Sequence, residues 1–162
     1  MTKEKLTAQR IVQDLKEKRK DTYGNAVAFA VCFVLFLSVF LRSIHSESAF
    51  DIYRVMLGVS TLLMFLFLVA FVTKTVTLSR AMKGKSAVVK SILADMNTIR
   101  LKHHIYYLYF PQYGRCPIEG GQYYYTHIGD EFYLILSKPN HGKILLTYHT
   151  DMYEWEEGGE VL

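Results

Sequence analysis

The sequence predicts a membrane α-helical hairpin of two transmembrane helices followed by a small cytoplasmic α+β domain. Three observations carry that fold class. Two stretches, Thr22 to Leu41 and Val55 to Thr73, contain no charged side chain. Basic residues crowd the outer flank of each stretch. Beyond residue 102, runs of Tyr, Phe, Ile and Leu alternate with turn-forming residues.

The first segment, residues 1–21, holds seven bases against four acids. Ala8, Ile11, Val12 and Leu15 recur at helical spacing with Lys and Arg filling the other face, and Thr7 is placed to cap the start. This is the pattern of a short amphipathic helix on the cytoplasmic leaflet, the alternative being a solvated charged arm.

Residues 22–73 form the hairpin. At about 1.5 Å rise per residue, each charge-free run gives roughly 30 Å of helix, the thickness of a hydrocarbon core. The first run is too long for the apolar part of a signal peptide, and Leu41-Arg42-Ser43-Ile44 offers no small-residue cleavage site. The short loop 42–54 carries only Arg42 and Arg54, countered by Glu47 and Asp51. Seven bases precede the first run and seven follow the second between Lys74 and Lys102, so both termini are expected in the cytoplasm and the loop outside. The expected location is the plasma membrane. Within the runs, Gly24, Ala28 and Cys32 repeat every four residues, a spacing that lets helices approach closely. Their partner is either the second span, through Gly58 and Thr61, or another protein.

Residues 75–162 are expected to form one cytoplasmic domain. Leu78, Met82, Lys85, Val89, Ile92, Met96 and Ile99 recur at steps of four and three, predicting an amphipathic helix over 75–101. That seam is expected to pack on the β-rich tail rather than zip with a second copy, because Gly84 and Lys85 interrupt it. Strands are predicted at 103–110, 122–128, 131–138, 143–149 and 152–156, with turns at Ile128-Gly129-Asp130 and Pro139-Asn140-His141-Gly142. Five strands in sequence make an antiparallel meander or small barrel packed with the amphipathic helix. Phe132, Leu134 and Leu136 share one face of their strand while Tyr133 and Ile135 share the other, so something apolar must lie on each side.

Charge distribution excludes one class of partner. The seven bases of 74–102 face a single acid, whereas residues 103–162 hold three bases against eight acids. Basic flanks beside spans attract anionic lipid headgroups, and an acidic tail repels a phosphate backbone, so membrane lipids and not nucleic acid are the expected contacts.

Signals for catalysis are sparse. Gly84-Lys85-Ser86 ends like a phosphate-binding loop but lacks the earlier glycine, Ser79 standing there. Cys116 beside Arg115, with His127 or His149 as base, is the one arrangement that would suit a thiol enzyme, and the same histidines with Cys116 or an acid would suit a metal. His103 and His104 are adjacent and point to opposite faces of a strand. Cys32 and Cys116 lie on different sides of the predicted boundary, so no disulfide is expected. No enzyme activity, cofactor or resident metal is expected. Tyr106, Tyr107, Tyr109, Tyr123, Tyr124, Tyr125 and Tyr133 are read mainly as cross-strand packing, with an exposed aromatic groove as the sharper alternative. Tyr123, Tyr125, His127, Tyr133, His149 and Trp155 are the candidate interaction surface, since excess aromatics mark interfaces.

The function expected is that of an integral membrane protein whose β-rich domain holds or regulates another protein, the partner being a different protein or a second copy. The alternatives are a ligand-sensing effector that oligomerises through its hairpin, and a membrane-tethered thiol or metal enzyme.

Overall fold

The computed structural model describes residues 3–45, 51–100, 104–138 and 142–155. Its elements in chain order are β1 (Glu4–Leu6), α1 (Ala8–Ile44), α2 (Asp51–Arg80), β2 (Ala87–Ile92), β3 (Asp95–Arg100), β4 (His104–Phe110), β5 (Gly114–Ile118), α3 (Gly120–Tyr123), β6 (Glu131–Leu136), β7 (Ile144–His149) and β8 (Tyr153–Trp155). They form two compact units, Met1–Lys16 with Leu78–Leu162, and Glu17–Thr77.

The Glu17–Thr77 unit is a helical hairpin held by aromatic rings. Phe29 stacks on Phe67 and Phe71 at 5.5 and 5.1 Å, and Phe33 meets Phe65 at 5.7 Å. Gly58 lies under the Phe40 ring, where an added Cβ would approach to 3.3 Å. At the closed end the Arg54 Nε donates to the Ser43 carbonyl at 3.1 Å. The hydroxyls of Ser38, Thr61, Thr73, Thr75 and Thr77 each donate to a carbonyl three or four residues back in their own helix. That arrangement satisfies them without water. Both helices are long and apolar enough to cross a membrane, and only 6% and 11% of their most apolar windows are buried within the chain.

The other unit is β-rich and layered. One antiparallel sheet has the order β2-β6-β7 and a second the order β3-β4-β5, while β1 pairs in parallel with β8. Alternation along β6 sends Phe132, Leu134 and Leu136 to one side and Tyr133 and Ile135 to the other. The first group meets Leu93, Leu108 and Phe110, so the two sheets stack face to face. The second group meets Leu6, Ile11, Leu15, Leu78 and Ala81, so the opposite side is covered by the start of α1 and the end of α2. Pairing shifts by one residue between Ile135 and Leu136, and the extra residue, Leu145, joins Tyr148 in the helix-side core.

Several expectations are corrected here. The sheets are three-stranded, and no five-strand meander or barrel forms among the described residues. The helix predicted over 75–101 ends at Arg80 and passes through a widened turn in which Gly84 takes φ +79°. Residues 87–92 and 95–100 are strands instead. Val88 pairs with Ile135 and Val89 with Leu134, so two adjacent β-branched residues serve the two opposite cores, a role no helical stripe can fill. Leu93 and Ala94 carry the chain from one sheet into the other, pinned by Leu93 N–H to the Asp130 carbonyl at 2.9 Å and Ala94 N–H to the Tyr109 carbonyl at 3.0 Å. The strand predicted at 122–128 is absent; α3 and turns stand there. Gly129 does turn the chain, at φ +99°, but into β6 from a loop rather than between two strands. Of the turn predicted at 139–142, only Gly142 lies within the described residues, as do only Met152 to Trp155 of the last predicted strand. Strands β1 and β5 were not anticipated.

The amphipathic start of α1 is likewise corrected. Thr7 does cap it, its Oγ1 accepting the Arg10 N–H at 3.3 Å. Ile11 and Leu15, however, are fully buried in the helix-side core, so these two side chains face protein rather than a lipid leaflet. Tyr148 donates to the Asp14 Oδ2 at 2.5 Å, and burial followed by that acid neighbour pushes the phenol pKa up. Arg10 ion-pairs with Glu4 and lies 5.1 Å over the Tyr153 ring, clasping the β1–β8 pair to the helix.

Candidate interaction face

The β3-β4-β5 sheet has one face in the core and one in the open. Register places Thr98 opposite Tyr106 and Met96 opposite Leu108, and on the other side Cys116 opposite Leu108. These residues point inward, Met96 and Ile118 packing against the buried Leu108 and Phe110. Strand alternation sends the intervening side chains outward in three rows. Ile99 lies beside Ile105; Asn97, Tyr107 and Pro117 form the middle row; Asp95, Tyr109 and Arg115 form the last.

This outer face is unusually apolar for an open sheet surface. Ile99, Ile105 and Tyr109 expose 42%, 38% and 38% of their surface. Tyr107 is half-buried and Pro117 exposed. An open sheet face more often carries polar side chains in alternation with a buried set. Asp95 and Arg115 sit at the two edges, and neither forms an ion pair among the described residues.

The six residues nominated from sequence do not share a surface. Tyr133 and Trp155 pack against the helix-side core. Tyr123 stacks on Tyr106 at 4.6 Å and accepts a hydrogen bond from Thr98 Oγ1 at 3.1 Å. Tyr106 and Tyr124 share a hydroxyl contact at 3.1 Å, which raises the Tyr106 pKa. A Cβ at Gly120, at the start of α3, would lie 2.9 Å from the Tyr106 ring and force that ring to shift. Tyr125 is exposed.

His127 and His149 do converge, but on Asp130. The His127 backbone N–H donates to Asp130 Oδ2 at 2.6 Å, and His149 Nε2 lies 3.0 Å from the same oxygen. His149 Nδ1 accepts the Asp151 N–H at 3.1 Å, which assigns the ring proton to Nε2 and makes it the donor to Asp130. Burial pushes the Asp130 carboxyl up, but the His149 hydrogen bond and the His127 N–H outweigh it and hold the pKa below the usual value. With Phe132 against its ring at 4.8 Å and both nitrogens engaged, His149 fastens the loop before β6 to the end of β7. Asp130 was not singled out from the sequence, although Ile128-Gly129-Asp130 was read as a turn. Among the described residues no group of three or more His, Cys, Asp or Glu side chains has the arrangement of a metal site. Cys116 is buried beneath the sheet, so its thiol faces the core rather than solvent.

In the hairpin, Gly24, Ala28 and Cys32 lie exposed on α1 and take no part in the aromatic seam. Gly58 meets Phe40 rather than Gly24, and Thr61 is buried with its hydroxyl on the Leu57 carbonyl.

No protein-family profile, curated protein or solved structure matches this chain.

Proposed function

We propose that this is a two-pass integral membrane protein whose β-rich unit lies in the cytoplasm and serves as a protein-interaction module. The observation that carries the reading is the uncovered outer face of β3-β4-β5, with Ile99, Ile105, Tyr107 and Tyr109 side by side. The other broad faces of both sheets are enclosed in cores, so covering this face with another protein removes apolar sheet area from water. Membrane insertion is supported by the length, apolarity and small internal burial of the two helices, and orientation by the basic residues flanking them.

Site-specific photo-crosslinking from position 107 of the full chain in native membranes tests the reading. A covalent protein adduct is expected at positions 105, 107 and 109, and not at Asp151 in an exposed turn. Absence of any adduct from all three face positions overturns it.

A further inference from the structure

Resting on the reading of the outer face as an interaction surface, we propose that its partner is a second copy of this chain, joined face to face about a two-fold axis along β4. Charge placement selects both the partner and the axis. A two-fold rotation about the central strand exchanges the sheet's edges while keeping each row at its own height. Row Asp95–Tyr109–Arg115 has an acid on one edge strand and a base on the other. Rotation therefore sets Asp95 of each copy opposite Arg115 of the other, with Tyr109 against Tyr109 on the axis. The middle row sets Tyr107 against Tyr107 and Asn97 against Pro117, and Ile105 meets Ile105. An axis across the strands instead brings Asp95 over Ile99 and leaves that carboxylate facing an apolar side chain. A self-complementary patch of this kind is what a closed two-fold interface requires.

Size sets the strength. Stacked sheets lie about 10 Å apart with strands about 30° from alignment, which the reach of arginine accommodates. Three strands about 4.8 Å apart and five residues long present a patch of roughly 15 by 17 Å, well below the ~800 Å² per partner of a standard interface. Such a face associates weakly in dilute solution. Two copies anchored in one membrane meet at a far higher effective concentration, and there the same face suffices.

The test uses the full chain in native membranes, with Cys32→Ala and Cys116→Ala as background and a short bis-maleimide as crosslinker. Tyr107→Cys, and independently Ile105→Cys, is expected to give a covalent homodimer, while Asp151→Cys gives none. Asp95→Arg or Arg115→Asp alone lowers the homodimer yield at least five-fold, about 1 kcal/mol by the tenfold-per-1.4 relation. Combining the two reversals recovers it, because the swapped charges again face their opposites. No homodimer from either cysteine, single reversals without effect, or a double reversal that fails to recover yield each overturns the proposal. A photo-adduct at position 107 with a different protein, without homodimer, overturns the second copy as partner and leaves the interaction module standing. No adduct of any kind removes both.

Discussion

Replacing Ile11 by alanine separates two roles for the start of α1. Ile11 is fully buried among Leu6, Leu15, Leu78, Ile135 and Tyr148. Truncating a buried isoleucine to alanine costs about 2–5 kcal/mol, the transfer of the lost carbons plus the cavity they leave. For a unit of this size each kcal/mol lowers the unfolding midpoint by about 4–8 °C, so a drop of at least about 8 °C is expected. Trp155 is the chain's one tryptophan and packs against the same core, so its fluorescence reports the transition directly in detergent-solubilised full-length protein. Gln13→Ala, at an exposed position of the same helix, is the control and is expected to move the midpoint little. If Ile11→Ala shifts the midpoint no more than Gln13→Ala, the helix start is not part of the core, and the leaflet-bound amphipathic helix regains its place.

Two further outcomes follow from the same geometry. Because the Asp130 pKa is lower folded than unfolded, its contribution to stability is complete above the unfolded carboxylate pKa, about 3.9, and is lost as pH falls through the folded value. Thermal midpoints of the wild type and Asp130→Asn, compared from pH 6 to pH 3, should therefore differ most at pH 6 and converge towards pH 3; a constant difference contradicts the linkage. For topology, the native Cys116 is a poor reporter because it is buried, so Asp151→Cys in the exposed turn replaces it. An impermeant maleimide should label that cysteine only after cells are permeabilised, and labelling in intact cells reverses the orientation.

Legibility followed the range of the interactions. Strands β4, β6 and β7 were readable because each pairs with a near neighbour in sequence and carries its own Tyr, Phe, Ile or Leu pattern. Strand β1 was hidden because its three residues pair with β8, at the other end of the chain. Strand β5 was hidden by Gly114 and Pro117, which read as loop. The seam over 75–101 fitted a helical period by coincidence: Met96 turns inward and Ile99 outward from one strand. The outer face is illegible for the same reason, since five of its eight residues stand on β3 and β5.

Solvation is a property of a segment, and so the two charge-free runs, their basic flanks and the need for cover on both sides of β6 were already present in the linear chain. Which segments supplied that cover was settled only when distant parts met. The first turns of α1 and the last of α2 close one side, and β3-β4-β5 closes the other, because burying Ile11, Leu15 and Leu78 requires partners drawn from both ends of the chain. No local pattern encodes that choice, since both faces of β6 are apolar and neither names the segment that covers it.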